Sequence, residues 1–131
     1  MNHKVEINGL EQSSLYMYVF VNDDLKMSKG KIAGQVAHVV GLITEEIIRK
    51  SYETTKGVPD CYSRYMIWKT TGHAKVILKA SQEQIEKLLN EPETIYIRDA
   101  GRTQIAPNSL TVLGFYPSTN LKEIFKDFKL L

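Results

Sequence analysis

The sequence contains a single cysteine, Cys61, so no internal disulfide can hold the fold together. That points to a reducing compartment and to a core that must stand on its own packing. Cys61 itself reads as a small space-filling residue. Charge of one sign is also scarce. Seventeen Lys and Arg against fifteen Asp and Glu leave a net charge of only +2, which excludes the uniformly basic chain that binds nucleic acid through its overall field. Any polyanion must therefore meet a local concentration of charge. Long apolar runs are missing as well. The stretch Tyr16 to Val21 is far too short to cross a bilayer, and the opening residues do not read as a secretory signal. A cytoplasmic setting is expected.

What is present suits one domain. The 131 residues are 43% hydrophobic and 24% charged, an ordinary globular mixture that excludes disordered and fibrous classes. Residues 1–14 are polar with little periodicity and are expected to form a loose extension; residues 15–131 form the domain. Leu15 to Asn22 reads as a buried strand. Ser28 is suited to cap a helix in which Ile32, Val36, Val39 or Val40, Ile43 and Ile47 recur at helical spacing and face a core. Gly57 and Pro59 end that helix. Tyr62 to Thr70 is consistent with a short helix. Lys75 to Lys79 is a strand, Ser81 to Gln84 a capping box, and Pro92 a stop. Thr94 to Arg98 and Leu110 to Tyr116 are two further strands. Leu121, Ile124, Phe125 and Phe128 mark a closing helix. Helices interleaved with short strands imply an α/β sandwich, and two successive strands without a helix between them make the sheet mixed.

Charge concentrates in two places. Lys26, Lys29 and Lys31 crowd the start of the first helix, where the macrodipole disfavours cations and favours anions. Gly30 allows close approach of a ligand to the backbone there. Lys31, Gln35 and His38 stand at i, i+4 and i+7, on one stripe opposite the apolar set. Spacing alone leaves two readings, a solvated polar face or a site for a phosphate or oxyanion. The second concentration is Arg98 with Arg102, flanking Asp99, the only carboxylate between Glu93 and Glu123. Among cations, Asp99 could orient or deprotonate water; a turn residue capping backbone amides is the plainer alternative. Thr103, Gln104 and Thr111 add short polar groups nearby in sequence. No Ser or Cys is placed as a nucleophilic partner for His38, and the three histidines fit no metal-ligand spacing. Tyr65 and Trp68, three apart, read as core aromatics rather than base-stacking platforms.

Three ordered segments resemble the type 2 peptidyl-tRNA hydrolase family. Asp24-Leu25-Lys26-Met27-Ser28-Lys29-Gly30-Lys31-Ile32-Ala33-Gly34-Gln35-Val36-Ala37-His38 is similar to its opening motif. Trp68 to Val76 is similar to its central segment. Arg98-Asp99-Ala100-Gly101-Arg102-Thr103-Gln104-Ile105, continued by Ser109, Thr111, Val112 and Leu113, is similar to its signature. The resemblance covers about residues 15 to 131. It implies a three-layer α/β/α sandwich around a four-stranded mixed sheet, often a homodimer. The implied activity is cleavage of the ester joining peptide to tRNA in peptidyl-tRNA, with no metal or organic cofactor. The family's important Lys, Asp and two Thr fall on Lys31, Asp99, Thr103 and Thr111. Gln35, His38, Arg102 and Gln104 match further motif positions. Departures are Asn22 where an Arg is common, Gly34 for Ala, Val39-Val40 for smaller residues, His73 for Gln and Asn108 for Gly. Asn tolerates a left-handed turn, so the last should preserve shape.

The expected scheme is direct hydrolysis. Asp99 with Thr103 activates water, Lys31 stabilises an oxyanion or grips a phosphate, and Gln35 and Thr111 orient the ester. Arg98, Arg102, Lys26 and Lys29 hold the tRNA backbone. The alternatives are a non-catalytic RNA-binding or adaptor module of the same fold, and an esterase or amidase acting on small activated substrates.

Overall fold

The computed structural model describes residues 5–7, 10–12, 15–100, 105–119 and 121–131. Strand β3 (Met17–Asn22) is buried along its whole length, because its β-branched and aromatic side chains alternate between two covered faces. It follows a short antiparallel pair, β1 (Val5–Ile7) and β2 (Leu10–Gln12), which gives part of the expected loose extension a strand ladder. A 3₁₀ turn over Asp23–Leu25 leads to helix α1 (Lys29–Glu53), and α2 (Asp60–Thr70) follows. Strand β4 (Lys75–Ala80), helix α3 (Gln82–Leu88) and strands β5 (Thr94–Arg98) and β6 (Leu110–Phe115) complete the regular elements.

The sheet is four-stranded in the order β4-β3-β6-β5. β3 and β4 run parallel, in register from Met17 opposite Lys75 to Asn22 opposite Ala80. Both pairings of β6 are antiparallel. The parallel pair needs a long crossover, and α1 with α2 supplies it. Odd residues of β3 (Met17, Val19, Val21) join Val39, Ile43, Ile47, Tyr65 and Trp68 in one core. Even residues (Tyr18, Phe20) join Ile85, Leu113, Phe115 and Phe125 in another. Helices α1 and α2 therefore cover one face, and α3 with the C-terminal segment covers the other. This is the expected three-layer sandwich.

α1 begins where Ser28 caps it, its hydroxyl accepting from the Lys31 amide at 3.2 Å. Its buried residues are Val39, Ile43 and Ile47. Gly114 lets this helix lie close on β6: a β-carbon there would stand 2.7 Å from Ile43 Cδ1. Tyr65 and Trp68 belong to the same core, and the Trp68 indole donates to the Ala74 carbonyl at 2.7 Å. That closes the base-stacking option for both.

The expected closing helix is absent. Residues 121–129 form successive turns, with a helix-like Phe125 N to Leu121 O bond of 2.9 Å and a tighter Phe128 N to Phe125 O bond of 3.0 Å. Two tertiary demands override the helical spacing. Phe125 and Phe128 set their rings edge-on to Phe20 at 4.8 and 4.9 Å. The chain end then lies along the outer edge of β4, where Lys79 N donates to Lys129 O at 2.8 Å and Leu131 N to Ile77 O at 3.0 Å. Pairing the exposed edge satisfies backbone groups that a helix continued to the terminus would leave open.

Candidate functional site

The site forms where the first turns of α1 cross the ends of β5 and β6. Because Val39 and Ile43 are seated against Gly114, Gln35, one turn earlier, comes over Thr111, three residues earlier on β6. The Thr111 hydroxyl lies 2.7 Å from Gln35 Oε1 and 3.2 Å from the Ile97 carbonyl, and Thr111 is fully buried. One turn nearer the helix start, Lys31 Nζ meets Asp99 Oδ1 at 2.5 Å. Their side chains are 12% and 8% exposed, so the pair is shielded from bulk water without being sealed. Coulomb attraction at such a separation is several-fold stronger than on an open surface.

Asp99 is held from its backbone. Its amide donates to the Ser109 carbonyl at 2.9 Å, and its carbonyl accepts from the Asn108 amide at 2.7 Å. Asn108 sits at φ 65°, the left-handed conformation expected of it in place of Gly. The Ser109 hydroxyl donates to Ala106 O at 2.7 Å. Asn108 and Ser109 thus anchor the backbone that carries the carboxylate, and a register shift between Ile97 and Arg98 precedes it.

Lys31, Gln35, Asp99 and Thr111 are therefore brought together from sequence positions up to 80 apart. Arg98 is exposed, with its guanidinium 5.7 Å from the Tyr96 ring centre and Nη1 donating to Asn108 O at 3.2 Å. Lys26, in a left-handed conformation, pairs with Asp23 at 3.2 Å and is exposed. Lys29 is exposed at the helix start, and His38 is exposed on α1 beyond Gln35. Arg102, Thr103 and Gln104 lie outside the described residues. Gly30 and Gly34 face open space, so the backbone at the helix start is accessible.

Asn22 has a job that sequence reasoning missed. It is fully buried, its Nδ2 donating to Leu110 O at 2.9 Å and Gln82 Oε1 at 2.6 Å, its Oδ1 accepting from Asp24 N at 3.1 Å. It ties the end of β3 to β6 and to the start of α3. An amide closing an otherwise apolar strand was the available signal, since a buried amide requires partners.

A buried-edge carboxylate and ammonium, next to a hydroxyl and an amide, form a cluster able to position water against an acyl group and balance the charge that develops. Among the described residues no group of three or more His, Cys, Asp or Glu could hold a metal ion, and no helix is long and apolar enough to cross a membrane. The arrangement of Lys31, Gln35, Asp99 and Thr111 is suited to hydrolysis.

Residues 15–131 match the family model described as Peptidyl-tRNA hydrolase PTH2, and the chain belongs to that family. It is 34% identical to a peptidyl-tRNA hydrolase of Staphylothermus marinus over 131 residues, covering 93% of this chain and 99% of that one. It is 36% identical to the peptidyl-tRNA hydrolase of Sulfolobus acidocaldarius over 124 residues, covering 88% and 98%. To the mitochondrial peptidyl-tRNA hydrolase 2 of Bos taurus it is 37% identical over 121 residues, covering 87% of this chain and 62% of the bovine protein. The chain thus spans about three-fifths of the mammalian relative and nearly the whole of the archaeal ones.

Proposed function

We propose that this chain hydrolyses the ester that joins the peptide to tRNA in peptidyl-tRNA, freeing the tRNA for reuse. The observation that carries the reading is the Lys31–Asp99 pair at 2.5 Å, set beside Gln35 and Thr111. In the reaction, water attacks the ester carbonyl while Asp99, assisted by Thr103, accepts its proton. Lys31 turns from the carboxylate to the tetrahedral oxyanion. Gln35 and Thr111 orient the ester. The bond from carbonyl carbon to ribose oxygen then breaks, the ribose oxygen takes the proton, and the peptide leaves with a free carboxylate.

We assign substrate recognition to Lys26, Lys29, Arg98 and Arg102 at the tRNA backbone, and further substrate contacts to His38 and Gln104. We assign the activity to residues 15–131 as one unit, operating in the cytoplasm and as a homodimer. Salt should then weaken binding steeply, because each phosphate contact releases counterions.

The test is incubation with N-blocked aminoacyl-tRNA while the release of free tRNA is followed. Release that saturates with substrate and falls with added salt is expected. Salt-dependent tRNA binding without release would instead support the non-catalytic RNA-binding module. Salt-insensitive cleavage of small esters, with tRNA untouched, would support the small-substrate esterase.

A further inference from the structure

The sheet face turned away from Lys31 and Asp99 carries a separate cavity of about 420 Å³ between β3, β4 and the C-terminal turns. That volume lies in the range of small-molecule sites. Its walls are mainly apolar, with Leu78, Phe125 and Leu130 among them, and Lys122 and Lys126 also line it. Tyr18 forms part of the wall and is only 3% exposed. Its hydroxyl makes no hydrogen bond to another described residue. Every sealed polar side-chain atom among the described residues has a partner, so this hydroxyl keeps some accessible surface, on a residue that lines the cavity. Burial, with Tyr16 beside it, pushes the Tyr18 phenol above its ordinary range. It therefore stays a neutral hydrogen-bond donor at neutral pH.

A hydroxyl in a mostly apolar cavity has solvent at the opening as its acceptor, and a ligand oxygen seated there takes the water's place. The two ammonium groups favour an anionic acceptor. Lys126 has only a loose 3.8 Å pairing with exposed Glu123, which takes little of its charge. The apolar walls exclude an inorganic anion and require a hydrocarbon body behind the charged end. We propose that this cavity binds a medium-chain carboxylate, its chain against Leu78, Phe125 and Leu130 and its carboxylate accepting from Tyr18 near Lys122 and Lys126. The site is independent of the ester-cleaving cluster on the opposite face.

The experiment is a backbone-amide NMR titration of the full chain with octanoate, with 1-octanol and acetate as parallel arms. Octanoate should give saturable shifts at Tyr18, Leu78 and Phe125 and leave Lys31 unmoved. Octanol should bind about tenfold more weakly, as loss of one charge-assisted hydrogen bond requires, and acetate should not saturate. Tyr18→Phe should weaken octanoate by about tenfold and octanol by clearly less, since a neutral acceptor loses a weaker bond. Lys122→Gln with Lys126→Gln should weaken octanoate alone, and this exposed pair decides the matter if Tyr18→Phe alters the thermal melt. Equal binding of octanoate and octanol, shifts confined to α1, or no saturation by octanoate would overturn the proposal.

Discussion

The two faces of the sheet are built by different means. On one, a 25-residue helix lies against β6 with aliphatic side chains, and the regularity of its backbone carries Lys31 and Gln35 to Asp99 and Thr111. On the other, a seven-residue helix and a run of turns are held by an aromatic cluster in which Phe20 meets Phe115, Phe125 and Phe128. The first face uses a rigid element to place chemistry. The second uses side-chain packing to hold a segment that has little regular backbone of its own. Activity should therefore be sensitive to the first face and stability to the second.

The largest effect expected is on turnover. Asp99→Asn keeps the shape but removes the base, and should lower the rate of tRNA release by about 10²- to 10⁴-fold. Its thermal melt should move much less than that of a core variant on the other face. Single-turnover kinetics at saturating enzyme would check this, and near-normal turnover would remove Asp99 from the chemistry. Phe20→Ala should show the reverse pattern. Phe20 is fully buried, and truncation should cost about 3–5 kcal/mol, a large part of the roughly 5–15 kcal/mol typical of a domain. Amide exchange at Lys79 and Leu131, whose bonds tie the chain end to β4, should rise before exchange in α1. If α1 amides exchanged first, the aromatic cluster would not be what holds the C-terminal segment.

This contrast also explains what could be read in advance. α1 was legible because its apolar period, its Ser28 cap and its length all agree, and helical spacing alone placed Lys31 and Gln35 on one stripe. The strands were legible from β-branched runs. The closing segment was not. Leu121, Phe125 and Phe128 have helical spacing, but rings that must reach Phe20 and a terminus that must pair with β4 impose a path that no local pattern encodes. The site was half legible in the same sense. Asp99 read more plainly as a turn residue, and its contact with Lys31 depends on how closely α1 approaches β6. Asn22 read only as a departure where an Arg is common, because two of its three partners, Gln82 and Leu110, come from elements remote in sequence.

Gly114 tests that approach directly. In Gly114→Ala the new methyl would meet Ile43 Cδ1 at 2.7 Å and Val39 Cγ2 at 3.4 Å. Ile43 is fully buried and has little room to turn, so overpacking should cost about 1–3 kcal/mol. Displacing α1 from β6 also separates Gln35 from Thr111, so tRNA release should slow although no residue of the cluster has changed. Adding Ile43→Val removes the clashing δ-carbon and should recover most of both losses. Recovery of stability without recovery of rate would show that the approach of α1 to β6 does not place the site.

The smallest effect belongs to the second face. Ser81 Oγ accepts from Gln84 N at 3.1 Å, and Gln84 Oε1 accepts from Ser81 N at 2.9 Å. In a helix of seven residues this reciprocal cap satisfies two of the few backbone donors that have no partner within the helix. Ser81→Ala should cost about 1 kcal/mol, a fall in Tm of about 4 °C for a chain of this size, read by calorimetry. The cap holds Ile85, fully buried between the strands and the aromatic cluster, but it touches nothing in the Lys31–Asp99 cluster. The rate of tRNA release at 25 °C should stay at the parent value. A loss of rate comparable to that of Gly114→Ala would mean that the two faces are coupled through the sheet, and that the division of labour between them fails.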